Sequence, residues 1–517
     1  MRNTLFVLLL LFVTVTACLS ARDEYQVPLY GIFQLSVVNN ADYSDPYRDV
    51  EFQITFTRPD SSTVKYWGFY DNQGIWRVRF MPDQLGTWKY SAKFKNGTET
   101  FAGTFDCVES NIPGLITKDQ ENPIWFGYSS GEHQLIRSIH VGDRFFAENW
   151  SDSARTVFLN WAQEQSYNML SIASHLLNRD AEGRGKGWNT PDLWDSENNR
   201  PNPVEYRKME AILDSLSERK ILVYPFAGFF GQSSDFPVER GDQELYVKYT
   251  LARIGAYWNS IYNVAGPEPN VKPEEFRNQM DSSNVDRLGQ LIQKYNTFDH
   301  LLSVHTSPNV GDLYPGADWN SYAILQGARG TDWQNMNQYI LSNHTGDKPV
   351  YAQEMFWPGN NLHRVTEIDD IRKKGFVMLF SAAAINFADM DGNSSSGFSG
   401  SMDLKDRHQE WHNTMKQVWD WFETIPFYEL SPAQDLVTSG YCLSDRESFV
   451  AIYYPDKDIA GEIDLTELSG NFSLSWYDPV KFNTIQDENL IQGGEIIKVD
   501  VPASVQQDGV LVLRKNK

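Results

Sequence analysis

At 517 residues the chain is longer than a single hydrophobic core usually fills, and 41% hydrophobic with 22% charged residues excludes a disordered or fibrous protein. Lys and Arg number 45 against 68 Asp and Glu, a net charge of −23 that repels phosphate backbones and argues against nucleic acid as a partner. The aromatic share, 14%, suits either ligand stacking or the filling of large cores.

In chain order, Arg2 precedes an apolar run, 5–15, that ends in Val15-Thr-Ala-Cys18. A basic start, a run too short to span a bilayer and small residues at its end mark a secretory signal, 1–18. Val-Thr-Ala-Cys is similar to a bacterial lipobox, in which Cys18 would be lipidated and become the new N-terminus. The alternative is a plain cleavable signal in which Cys18 is incidental. The expectation is a protein of the bacterial cell envelope, periplasmic or on the outer-membrane surface, whose only membrane contact is that lipid. Cys107 and Cys442 are far apart, which gives neither a disulfide framework nor a zinc spacing.

Residues 24–110 read as an N-terminal β-sandwich. Val50-Glu-Phe-Gln-Ile-Thr-Phe-Thr57, Trp76-Arg-Val-Arg-Phe80 and Trp88-Lys-Tyr-Ser-Ala-Lys-Phe94 alternate apolar and polar side chains, with turn signals such as Asp71-Asn-Gln-Gly74 between them. From 113 to 425 the pattern changes to apolar runs alternating with amphipathic helical ones, the mark of βα units and a parallel sheet. Strands are expected at 124–128, 168–173, 221–226, 260–264, 300–305, 322–326, 349–353 and 384–388. Helices are expected at 152–164, 203–219, 243–258, 284–295, 366–382 and 406–422; Asn202 and Pro203 suit a helix start. Eight such units over this length fit an α/β fold of the TIM (β/α)8 barrel kind. Strand-like runs return at 427–517 and predict a C-terminal β-sandwich, so two sandwiches flank the barrel.

Two carboxylates stand out. Lys348-Pro-Val-Tyr-Ala-Gln-Glu-Met-Phe-Trp357 is a short buried strand that delivers Glu354 beside Phe356 and Trp357, and Tyr262-Asn-Val-Ala-Gly-Pro-Glu-Pro-Asn270 places Glu268 after the fourth strand. Strand ends of a parallel barrel meet at one mouth, where two carboxyls about 5–5.5 Å apart can cleave a glycosidic bond with retention. For each Glu the plain alternative is a solvated or ion-paired loop residue.

Softer candidates surround them. His305 ends the fifth strand, as a hydrogen-bonding partner of ligand or nucleophile, or as a satisfied buried histidine. Tyr128 and Glu132 follow the first strand, His175 and Asn178 the second, and Trp188 lies in a Gly-rich loop. Asp389, with Asp391 and Asn393, follows the eighth strand; that run is too short for an EF-hand loop, so contacts to ligand hydroxyls or turn chemistry are expected. Trp357 is the expected stacking platform. No metal site or cofactor is expected, and no Gly-x-Ser-x-Gly, phosphate-cradling or HExxH word is present.

The order of Pro123-Ile-Trp-Phe-Gly127, Asn202-Pro-Val-Glu-Tyr206, Ile254-Gly-Ala-Tyr-Trp-Asn-Ser-Ile-Tyr-Asn263, Ser303-Val-His305 and Lys348-Pro-Val-Tyr-Ala-Gln-Glu354 resembles the apiosidase-like (β/α)8 glycoside hydrolases of gut and marine bacteria. Gly68-Phe-Tyr-Asp71 and Arg79-Phe-Met-Pro-Asp-Gln-Leu-Gly-Thr-Trp88 resemble the small sandwich in front of such barrels, and Trp476-Tyr-Asp-Pro479 the collagen-binding-type sandwich behind them. The resemblance implies a retaining glycoside hydrolase acting on plant or algal polysaccharides or their oligosaccharides, with Glu354 as nucleophile and Glu268 as acid/base. Many relatives have Asn directly before the acid/base Glu; here Gly266-Pro267 stand there. The competing expectations are a surface glycan-binding lipoprotein without activity and a matrix adhesin that uses 427–517.

Overall fold

The computed structural model describes residues 25–516 apart from 96, 142, 147–149, 173–191, 226–228, 231–235, 266–280, 359–364, 366, 390–403 and 405–407. Its centre is parallel. Strands β1 (Arg137–Val141), β2 (Met169–Ile172), β3 (Leu222–Pro225), β4 (Tyr262–Asn263), β5 (Leu302–Ser303), β6 (Ala323–Gln326), β7 (Val350–Phe356) and β8 (Ala383–Phe387) follow one another. Six of them form one parallel sheet in the order β3-β2-β1-β8-β7-β6, and β4 pairs with β5. A bridge from Val223 to Ser260 joins β3 to the start of β4, and Ser321 N donates to Leu302 O at 2.8 Å just before β6.

Helices α1 (Asp152–Glu164), α2 (Pro203–Glu218), α3 (Arg240–Ile254), α4 (Ser282–Tyr295), α5 (Trp333–Leu341), α6 (Ile368–Phe380) and α7 (Gln409–Phe422) lie between or after the strands. Ser151, Asp281 and Asp332 accept the third following amide of α1, α4 and α5, the bond expected of an N-cap. Asn202 occupies the cap position of α2 without a side-chain bond; Pro203, which has no amide proton to satisfy, opens that helix.

The strands are buried on both faces, so they read as nearly continuous apolar runs. One face contributes Ile139, Leu170, Val223, Ala352 and Ile385 to the core shared with the helices. The other contributes Met169, Leu222, Tyr224, Tyr351 and Ala384 to an inner cluster that Phe126 and Tyr128 join.

The first strand differs from expectation. Phe126–Tyr128 pairs antiparallel with Ile116–Lys118 and His133–Gln134, outside the parallel sheet. β1 begins at Arg137 instead, where Arg137, Ser138 and His140 disguise a fully buried strand. Its polar groups are matched from other elements: Arg137 pairs with Asp420 at 2.8 Å, and Ser138 Oγ donates to Asn386 at 2.9 Å.

On the N-terminal side, a five-stranded sheet faces a three-stranded one over a core that includes Phe56, Val78, Trp88 and Ala92. The five strands run, in spatial order, Gln26–Pro28, Thr100–Val108, Gly86–Phe94, Phe52–Thr57 and Thr63–Trp67. On the C-terminal side a six-stranded sheet and the pair Ala460–Asp464 with Ile496–Asp500 enclose a third core around Ile452, Phe472 and Leu511.

Both ends are tied to the helices by buried charges. Arg253 on α3 donates to Glu210 on α2, at 2.8 Å through Nη2, and to Asp71 of the N-terminal sheets at 2.8 Å. Asp71 also pairs with Arg77 at 2.6 Å and Arg207 at 2.9 Å, and Glu210 with Arg79 at 3.0 Å. Burial pushes the Asp71 carboxyl up, and the three guanidiniums around it outweigh burial and hold it below its ordinary value. At the other end Arg372 on α6 pairs with Asp508 at 2.6 Å, and Tyr453 Oη donates to the same carboxylate at 2.9 Å.

Candidate functional site

β7 begins in register with β6, Ala323 opposite Val350 and Ile324 opposite Tyr351, but the next pair is Gln326 with Glu354. Two steps on β6 therefore match three on β7. Against β8 the slip is larger, from the pair Ala352–Ile385 to the pair Phe356–Phe387. A bulge bends the strand and re-aims its side chains, and bulges gather beside active sites. Here it turns two consecutive side chains to one side. Gln353 Oε1 accepts from His305 Nε2 at 2.8 Å, and Glu354 Oε2 lies 3.7 Å from the same nitrogen.

Beneath the two residues runs a layer of buried polar groups that bond one another. Gln353 Nε2 donates to Ser171 Oγ at 3.0 Å, and Asn386 Nδ2 donates to Gln353 O at 2.8 Å. Ser138 Oγ lies 2.9 Å from both Tyr351 Oη and Asn386 Oδ1. Satisfied buried polar groups specify one geometry, because any shift would strand a donor in a dry interior. The end of β7 is fixed in this way from β1, β2, β5 and β8.

One cation stands beside Glu354 among the described residues. Arg329 Nη2 is 3.7 Å from Glu354 Oε1. The turn after β6 brings it there: Gly327 has φ +119, a conformation open to glycine, and its amide donates to Glu354 O at 3.3 Å. Asn309 Oδ1 then accepts from Ala328 N at 2.8 Å. Lys374 reaches in from α6 and donates to Gly330 O at 3.4 Å; burial first, and then the Arg329 charge, push its ammonium down to about 7. Arg329 is thus the permanent cation beside Glu354 among the described residues, while Lys374 titrates near neutrality.

His305 is neutral at pH 7, because burial depresses its imidazole from 6.5 to about 4. It is therefore a polar neighbour of Glu354 rather than an ion-pair partner. The folded value lies below the unfolded one, so between pH 6.5 and 4 the unfolded chain binds a proton that the folded chain refuses. Stability from this group rises with pH across that window and is lost on acidification, by about 3 kcal/mol in all. Urea unfolding of the wild type and His305→Gln at pH 7 and 4.5 should show the larger acid loss in the wild type; equal losses would refute the assignment.

The other expected site residues fall in three groups. Cys18, His175, Asn178, Trp188, Glu268, Asp391 and Asn393 lie outside the described residues. Tyr128 is a correction: its strand is not a parallel one, and it packs with Met169, Leu222 and Ala384, at or near the starts of their strands and away from the end that carries Glu354. Its hydroxyl donates to Gln134 at 2.8 Å, so it serves as a plug for the inner cluster. Trp357 and Asp389 stand near the strand ends, and both are buried. Trp357 is 1% exposed, its ring 4.8 Å from that of His140, which makes it a buried wall and not an open platform. Asp389 pairs with His412 Nε2 at 2.9 Å and accepts from His408 N at 2.9 Å, which fastens the end of β8 to α7.

Among functional candidates, Arg329, His140, Gln353 and Lys374 escape the sequence pattern. Gln353 had a signal, since two residues on from Tyr351 it falls on the same face of the expected strand; Arg329 had none, because its place depends on the turn at Gly327.

Comparison with known proteins agrees with this architecture. The family described as a domain of unknown function (DUF5060) matches residues 26–95. No curated protein matches the chain. A solved structure from Bacteroides vulgatus ATCC 8482, provisionally described as a glycoside hydrolase, superposes with a TM-score of 0.74 at 15% identity, over 95% of this chain and 100% of that one. Another, described as a glycoside hydrolase, gives 0.59 at 15% identity over 79% of this chain and 99% of its own. A glycoside hydrolase family 5 protein from the same Bacteroides strain gives 0.58 at 16% identity over 78% and 95%. The chain therefore has a glycoside hydrolase-like fold.

Proposed function

We propose that the protein is a retaining glycoside hydrolase of the apiosidase-like kind, acting on plant or algal polysaccharides or their oligosaccharides. In this reading β4 and β5 fill the gap between β3 and β6, which the Val223–Ser260 bridge and the Ser321–Leu302 hydrogen bond support, and the eight strands close into a (β/α)8 barrel. The observation that carries the reading is the bulged end of β7. It sets one carboxylate, Glu354, 7% exposed, against Arg329 and the neutral His305.

Glu354 attacks the anomeric carbon while Glu268 protonates the departing oxygen, which breaks the glycosidic bond and leaves a glycosyl ester on Glu354. Glu268, now a base, takes a proton from water, whose oxygen displaces the ester and frees both carboxyls. Water and two carboxyls suffice, with no cofactor. Arg329 keeps a positive charge beside the nucleophile, and the Gln353–Ser171 link holds its strand against recoil. Cys18 anchors the protein by lipid to the bacterial cell envelope.

Incubation with 2-deoxy-2-fluoro glycosides, whose esters hydrolyse slowly, followed by peptide mass spectrometry, tests the assignment. A sugar adduct on the peptide that contains Glu354 is expected. Turnover of a substrate by inversion, or an adduct on another carboxylate, would overturn it.

A further inference from the structure

A cavity of about 580 Å³ opens between the N-terminal five-stranded sheet and helices α3 and α4, well inside the range of ligand pockets and at a junction of two packed units. Strand register builds its floor. Gln53 stands opposite Trp67 and Thr55 opposite Lys65, while their neighbours Ile54, Phe56 and Tyr66 point into the sandwich core. Gln53, Thr55, Lys65 and Trp67 therefore share the outer face.

The Trp67 ring is fixed, because its Nε1–H donates to Lys248 O at 3.0 Å. Tyr295 meets it edge-on with centroids 5.4 Å apart, and Tyr47 and Tyr70, themselves edge-on at 5.2 Å, form the opposite wall. All four rings are only partly buried. Rigid, half-open aromatics between amide and hydroxyl side chains suit a saccharide, which offers apolar CH faces and a rim of hydroxyls.

Charge narrows the choice. In a chain of net −23, this cavity is lined by Arg48, Lys65 and Lys248 against one acid, Glu51, which Lys95 already engages at 3.0 Å. Arg48 is engaged by Asp45 and Asp242. Lys65 and Lys248 make no ion pair within 4.0 Å among the described residues, and Lys248 Nζ sits 5.9 Å from the centre of the Tyr295 ring.

We propose that this cleft is a second saccharide site, separate from Glu354, that takes oligosaccharides carrying carboxylate or sulfate groups. A sugar ring lies on the face of Trp67 beside Tyr295, and its anionic substituent meets Lys65 and Lys248. The proposal stands on the cleft itself and holds whether or not Glu354 is a nucleophile.

Calorimetric titration of the full-length chain tests it, with galacturonate oligosaccharides, sulfated galactan oligosaccharides and neutral xylo-oligosaccharides of equal length as probes. At least one anionic probe should bind, and about tenfold or more tightly than the neutral one. Trp67→Ala should weaken it by about tenfold or more. Lys65→Glu, at an exposed position that leaves packing intact, should do the same and remove part of the salt dependence. The carboxylated and sulfated arms separate the two sources of charge. Equal binding of neutral and anionic probes, no binding of either anionic probe, or anionic binding untouched by Lys65→Glu in a protein with unchanged melting temperature would overturn the proposal.

Discussion

Glu354→Gln is expected to abolish glycosidic cleavage, by a factor on the order of 10⁴ or more in kcat, the scale seen when a nucleophile is removed from a catalytic unit. The amide has the size and hydrogen-bonding reach of the acid but cannot form the glycosyl ester. Its surroundings predict that the fold tolerates the change. Arg329 and His305 sit 3.7 Å from its carboxylate, and Gln353 links the strand to Ser171 on β2 and to His305 after β5. Oligosaccharide affinity should therefore persist while sugar release disappears. Release that falls by less than about tenfold would remove Glu354 from the reaction, and a chain with no turnover in either form would favour the glycan-binding alternative.

Arg253→Met should be the most damaging single change to stability outside the parallel sheet. The guanidinium is wholly buried, lies 4.6 Å from the centre of the Phe69 ring and 5.2 Å from that of Tyr206, and bonds both Glu210 and Asp71. Methionine fills comparable space, yet it leaves two carboxylates in a low-dielectric seam with the remaining partners Arg77, Arg79 and Arg207. Removing one member of such a buried network costs about 3–5 kcal/mol, because the charge left behind is uncompensated. The expected result is a lower melting temperature, with further loss as the pH rises and the stranded acids ionise. Adding Glu210→Met should recover part of the loss, since an apolar pair avoids the desolvation altogether. A single variant as stable as the wild type would show that the N-terminal sheets dock by apolar contact alone.

What could be read from the residues follows from where the physics is local. β2, β3, β6, β7 and β8 announce themselves because both faces are buried and apolar side chains run together; Leu222–Pro225 and Ala383–Phe387 are cases in point. Helix α1 was legible to the residue, for its acidic first turn and its Ser151 cap stand next to each other. β1 was not, because Arg137 and Ser138 are tolerated only by partners on α7 and β8, far away in sequence. Helix α3 begins and ends earlier than its apolar pattern suggests. Gly255 closes it, and Tyr257 and Trp258 are buried in the turn to β4 instead of on a helix face. Glu354 was legible as an acid at the end of an apolar run. Its electrostatic partner Arg329 was not, since nothing near position 329 foretells the backbone route through Gly327.

The slipped ladder of β7 makes the count of residues in that strand matter as much as their identity. Loss of one residue between Ala352 and Met355 would let the strand relax toward regular pairing, and its acid would swing outward against the helices. Among descendants of this chain, then, a gap or insertion of a single position there should be rarer than any exchange of one side chain for another, and a lineage that carries one should have taken up a different trade.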